Sequence, residues 1–128
     1  MNPNQTSIEN LHFYHNLWNK ELAFYKDEVS VLEPHLQELT NKYSVKEVLE
    51  EVEYFQNQFD LQKENIHLLQ NDIEIHEKSL ATYAQNNSNT VEHHSFQNHQ
   101  AISHNMEIQR TVYHKLKTDF FLFMRKWV

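Results

Sequence analysis

Residues 8–43 read IENLHFYHNLWNKELAFYKDEVSVLEPHLQELTNKY. In this stretch mostly apolar residues recur at alternating intervals of three and four positions, and we call this row of residues the seam. Only an α-helix places residues with this spacing on one side, and the alternation is typical of coiled-coil packing. The pattern predicts one long helix over about residues 7–41. The seam consists of Ile8, Leu11, His15, Trp18, Leu22, Tyr25, Val29, Leu32, Leu36, Leu39 and Tyr43.

Three further residues refine this first helix. Thr6 and Glu9 have the spacing of a capping box, which predicts Thr6 as the N-cap. Pro34 removes an amide donor, so we expect a kink, but the seam continues in phase on both sides of it and predicts one helix. Asn41 is the predicted left-handed residue at the C-terminal end, where other proteins use glycine.

The same spacing recurs twice more and predicts helices over about residues 45–84 and 90–127. The second seam runs from Val45 to Tyr83 and places Gln62 and His76 at core positions. The third is clearest from Ile102 to Trp127, and its backward extension includes His99. Short turns between long helices force neighbours to be antiparallel. Residues 1–128 are therefore predicted to form a single all-α domain, an elongated antiparallel up-down-up three-helix bundle with coiled-coil-like heptad packing.

Composition narrows the possible functions. The 128 residues include no glycine and no cysteine, which excludes disulfides, thiol catalysis and glycine-rich phosphate loops. The formal charge of −7 argues against a nucleic-acid partner. No apolar run approaches the roughly 20 residues that a membrane span needs, and the first residues lack a signal-peptide pattern. We expect a cytoplasmic protein without a membrane span.

In antiparallel helices, residues at equal distances from the connecting turn lie at the same height along the bundle. This rule brings several polar core residues to the same height. Gln62 falls opposite Tyr25 and Tyr113, which predicts a core polar layer whose members satisfy one another's hydrogen bonds. Such a layer typically fixes helix register, as a single core asparagine does in coiled coils.

The same pairing brings His76 opposite His99 and places His15 about one turn away. Three imidazoles from three helices could bind zinc with an open fourth position, or iron or copper with help from a carboxylate. Asp72 could be that ligand or could orient one of the imidazoles. The alternative is a set of hydrogen-bonded core histidines without a metal. Because no nucleophile is paired with a base, no enzymatic activity is predicted.

Each helix also carries apolar residues beside its seam, so its apolar face is wider than a narrow three-stranded core requires. These residues predict an interface with another protein or, more simply, a homo-oligomer, with a dimer as the first expectation. We therefore predict a non-enzymatic helical bundle that mediates self-association or protein–protein interaction, with a metal-binding bundle as the alternative. The predicted interface residues are Leu17, Phe24, Val31, Tyr54, Leu61, Leu68, Ile75, Phe121 and Met124.

Overall fold

Three long helices form an all-α bundle in the computed structural model, which describes residues 7–86 and 93–127, with side chains over 7–82 and 97–127. The helices are α1 (Ile8–Lys42), α2 (Lys46–Asn86) and α3 (His93–Trp127). These bounds confirm the predicted elements to within a few residues, although residues 90–92 of the predicted third helix lie outside the described part. Across the described ranges, no helix is both long and apolar enough to cross a membrane.

The helices run antiparallel to their neighbours in sequence. His12, near the start of α1, pairs with Glu77, near the end of α2. Phe55, near the start of α2, stacks on Phe123, near the end of α3, with ring centroids 5.0 Å apart. The predicted three-helix bundle is therefore confirmed.

The ends of α1 differ from the sequence prediction. The N-cap is Ser7, whose hydroxyl oxygen accepts from the Asn10 amide at 3.2 Å, whereas Thr6 lies outside the described residues. At the other end the helix continues through Asn41 to Lys42, and Tyr43 caps it in an extended conformation. No described residue has a positive φ angle, so the predicted left-handed Asn41 is wrong. The Tyr43 amide instead donates to the Leu39 carbonyl at 2.8 Å and satisfies that end of the helix.

Pro34 lies inside α1 on the exposed side, and the helix continues through it as predicted. The seam residues form the core. From Leu11 to Leu39 every seam residue of α1 is buried. One large apolar cluster joins those from Trp18 onward to α2 and α3, and Leu11 packs in a second cluster with Leu80 of α2. Val45, predicted as a seam residue, is 51% exposed because it precedes the first residue of α2.

Candidate metal centre

His15, His76 and His99 lie side by side in the core, one from each helix. Each sits on its helix seam, and their exposed fractions are only 1%, 5% and 5%. One ligand atom from each histidine lies within 4.8 Å of the other two. His15 Nε2 and His76 Nδ1 lie 3.1 Å apart. The structure therefore brings together the three histidines that the sequence placed near one level.

Glu77 orients the imidazole of His15. One carboxylate oxygen of Glu77 contacts His15 Nδ1, and the other contacts His12 Nδ1. Because an ionised carboxylate can only accept, His15 must carry its proton on Nδ1. His15 Nε2 then carries the lone pair and accepts a hydrogen bond from His76 Nδ1 at 3.1 Å. This carboxylate–histidine arrangement is the one that commonly fixes the tautomer of a metal ligand.

The charge of Glu77 is maintained by the same contacts. Burial acts to raise the pKa of this carboxyl, but hydrogen bonds from His15 and His12 outweigh it and the pKa lies below its ordinary value. Glu77 is therefore ionised at neutral pH. A negative charge beside three imidazoles favours a cation among them.

His99 is held by ring contacts. Its imidazole stacks on Trp18 with centroids 4.8 Å apart, and Tyr14 lies 5.6 Å away. His99 Nδ1 is buried and has no hydrogen-bond partner among the residues that the structure describes. Burial, reinforced by His15 and His76, lowers the pKa of His99 to about 4. The imidazole is therefore neutral at physiological pH, as a metal ligand must be.

Asp72 does not have the position predicted for it. Its side chain is exposed and lies outside the group of residues within metal-ligand reach. Glu77 takes the predicted orienting role instead, from the position next to His76 on the side of α2 that faces α1. The sequence analysis did not identify Glu77, although its adjacency to a seam histidine was a usable signal.

The predicted polar layer of Tyr25, Gln62 and Tyr113 is buried, but its hydrogen bonds differ from the prediction. Gln62 Oε1 accepts from Gln109 Nε2 at 2.6 Å, so two glutamines pair across α2 and α3. The rings of Tyr25 and Tyr113 contact each other, with centroids 4.5 Å apart. Their hydroxyls donate outward to glutamates, as in the 2.6 Å bond from Tyr113 to Glu28.

The predicted interface residues lie on the surface, with one exception. Met124 is half-buried and packs against the core, because it lies on the side of α3 that faces α1. The others are about half exposed or more, so the sequence correctly placed them outside the three-helix core. They are Leu17, Phe24, Val31, Tyr54, Leu61, Leu68, Ile75 and Phe121.

Fold and site together describe an antiparallel three-helix bundle with a buried histidine layer at one end. No protein-family model, curated protein or solved structure matches this chain. The geometry of the site is therefore the basis for its chemistry. Three buried imidazoles, one from each helix, with an oriented tautomer on one of them, form a donor set suited to a borderline transition-metal ion.

Proposed function

We propose that this protein binds one transition-metal ion between His15, His76 and His99. The observation that carries the proposal is the convergence of three buried imidazoles, with ligand atoms within 4.8 Å of one another. Removing an imidazole from water without a partner for its ring nitrogen costs free energy. A bound ion would supply the partner that His99 Nδ1 lacks.

Zinc fits this donor set better than iron. A tetrahedral zinc ion with Zn–N bonds of roughly 2.0–2.1 Å holds its nitrogen ligands about 3.3 Å apart. The 3.1 Å between His15 Nε2 and His76 Nδ1 is already close to that spacing. Non-haem iron more often uses a carboxylate ligand as well. Asp72 is exposed, and Glu77 contacts two histidine ring nitrogens, which leaves a set of imidazoles alone.

Elemental analysis and thermal unfolding test the proposal. The protein should be purified without an affinity tag, stripped with a chelator and titrated with zinc. We expect one ion per chain, and a stabilisation of about 2.7 kcal/mol at a free zinc concentration 100-fold above Kd. That stabilisation corresponds to a Tm increase of roughly 10 °C. The absence of both stoichiometric zinc and a thermal shift would contradict metal binding.

Two substitutions on α3 form a matched pair. His99→Asn should abolish stoichiometric binding, whereas His104→Asn, at an exposed position five residues away, should leave it unchanged. Equal loss in both variants would indicate binding to surface histidines rather than to the buried layer. Glu77→Gln should keep one ion per chain but weaken zinc binding about 10- to 100-fold, because His15 would lose the charged partner that fixes its tautomer.

Self-association is a second candidate function, favoured by a separate observation. Apolar side chains at seven-residue spacing are exposed on each helix, among them Phe24 at 57% and Ile75 at 67%. Exposed apolar residues in such rows are typical of protein interfaces. A non-enzymatic bundle that pairs with a second copy of itself would cover them. An increase in mass with concentration, measured by light scattering, tests this function independently of metal.

A further inference from the structure

The three boundaries between helices are not equivalent. Ion pairs close the two boundaries that involve α1, whereas among the side chains of residues 7–82 and 97–127 none joins α2 to α3. The pairs His12–Glu77 and Glu33–Lys63 connect α1 to α2, and Glu21–Arg110 and Glu28–Lys117 connect α1 to α3.

The α2/α3 boundary is packed in the core but indented at the surface. Three surface depressions follow it, each lined by residues of both helices. Short polar residues such as Asn65, Ser79, Asn98 and Asn105 line two of them, in place of the long charged residues at the other boundaries. We refer to this surface, between Glu47–Ser79 of α2 and Asn98–Lys126 of α3, as the α2/α3 groove.

Apolar residues face each other across the groove at regular intervals. Tyr54 and Leu122 line one depression, Leu68 and Ile108 the next, and Ile75 and Ala101 the last. On α2 these positions recur in steps of seven, with Leu61 between Tyr54 and Leu68. On α3 the same spacing holds except that Lys115 occupies the position between Ile108 and Leu122. Both walls of the groove therefore present largely apolar rows with heptad spacing, which is the surface that further helices pack against. Six of these residues are about half exposed or more: Tyr54, Leu61, Leu68, Ile75, Ile108 and Leu122.

The apolar row on α1 has no equivalent boundary beside it. Phe24 lies three and four residues from Glu21 and Glu28, so these side chains are neighbours on one side of the helix. Those glutamates pair with Arg110 and Lys117 at 2.6 and 2.9 Å and cover the α1/α3 boundary on both sides of Phe24. The α1/α3 boundary has a depression farther along the bundle, beside Leu32 and Phe121, but no row of depressions in the part of the chain that the structure describes. The α2/α3 groove is thus the better docking surface.

We propose that the α2/α3 groove binds the same groove of a second copy of this chain, with the two bundles antiparallel. The proposal rests on self-association as the second candidate function and specifies the surface that carries it. In this arrangement α2 packs against α2 of the partner, and α3 against α3 of the partner. Tyr54 then faces Ile75 of the partner subunit, and Leu61 faces Leu68 of the partner subunit.

The area of the groove is sufficient for a dimer. Six large apolar residues that are about half exposed together offer roughly 500–600 Å² of surface. A stable interface buries about 800 Å² on each partner. Ala101 and the asparagines that line the groove supply the remainder, so the groove alone approaches the standard size.

Charge selects the antiparallel orientation. The depression around Tyr54 is lined by four carboxylates, Glu47, Glu50, Glu51 and Asp119, with Lys126 as the single cation. The depression at the other end, around Ile75, contains one carboxylate, that of Asp72. Parallel bundles would place the two acidic ends together, whereas antiparallel bundles place each acidic end against a largely neutral one.

Matched double substitutions test which surface forms the dimer. Leu61→Glu with Leu68→Glu should raise the dimer Kd at least 100-fold in sedimentation equilibrium. Leu17→Glu with Phe24→Glu, at similarly exposed positions on α1, should change it less than threefold. All four positions lie outside the core, so helix content measured by circular dichroism should be unchanged in both variants.

The possible outcomes distinguish self-association itself from its assignment to the α2/α3 groove. A wild-type protein that stays monomeric at millimolar concentration overturns self-association itself, and a different protein would then be the occupant of the groove. A dimer that is disrupted only by the α1 substitutions keeps self-association and overturns the assignment to the α2/α3 groove.

A single cysteine tests the orientation, since the native chain has none. Asn65 lies at the middle of the α2 row, close to the two-fold axis that relates the two α2 helices of the antiparallel dimer. Asn65→Cys should form a disulfide-linked dimer under mild oxidation, whereas Lys20→Cys, on the exposed side of α1, should not. Failure of Asn65→Cys to cross-link in a protein shown to dimerise would overturn the antiparallel arrangement.

Discussion

The two ends of the bundle fill the same kind of core position with opposite chemistry. At the end that contains the α1–α2 connection, Phe59 stacks edge-to-face with Phe120, with ring centroids 5.2 Å apart. At the other end, equivalent seam positions hold His15, His76 and His99. The heptad spacing therefore determines which positions are buried, whereas the free energy of burial depends on the side chain at each position. Phenylalanine gains free energy from burial alone, whereas an imidazole must also find a partner for its ring nitrogens.

Substitution at the aromatic end should have the largest effect on stability. Phe59 is fully buried, so Phe59→Ala removes a large side chain and leaves a cavity. We expect a loss of about 3–5 kcal/mol in the free energy of unfolding, measured by urea titration. Phe24→Ala, on the exposed face of α1, should stay within about 0.5 kcal/mol. A loss below 1 kcal/mol for Phe59→Ala would show that this end is not tightly packed.

Acid should destabilise the histidine end. The pKa of His99 is lowered from 6.5 to about 4. Between these values the unfolded chain binds a proton at His99 that the folded protein does not. Stability is therefore complete above pH 6.5 and falls as the pH decreases toward 4, by up to about 3 kcal/mol.

Urea titrations of metal-free protein at pH 7.5, 6.5, 5.5 and 4.5 measure this effect. The pKa values of Glu77 and Glu28 are lowered in the folded protein, so these carboxylates add their own loss of stability at the acid end of the series, where the unfolded chain begins to protonate them. The effect of His99 is therefore read as the difference between the wild type and a variant without this histidine. His99→Leu should flatten the profile, since leucine does not titrate. A variant with the same pH dependence as the wild type would show that His99 is not the group responsible.

The glutamine pair between the two ends should give the smallest effect. Gln109→Leu leaves the buried Gln62 without its partner, and we expect a loss of about 1–3 kcal/mol. The double variant Gln62→Leu with Gln109→Leu replaces both polar groups and should recover most of that loss. Urea titration of the two single variants and the double variant measures the coupling. Additive losses would contradict a direct hydrogen bond between the two side chains.

The sequence analysis was more accurate for the burial of core residues than for the hydrogen-bond partners of the polar ones. Seam spacing predicted the burial of His15, Gln62 and His76, because the period of a helix specifies the face on which each residue lies. It predicted the wrong hydrogen-bond partner for Gln62, since long side chains reach about a turn along a neighbouring helix. It also missed Glu77, which lies just beside the seam rather than on it.

The sequence by itself determined three helices, their limits to within a few residues and the residues that each helix buries. This information is local, since it depends on spacing along a single chain segment. The tertiary structure decided the axial offset between helices, which sets the pairing of Gln62 with Gln109 and of Glu77 with His12 and His15. It also decided which boundaries between helices are bridged by ion pairs, because such a pair forms only where both side chains lie at the same height along the bundle.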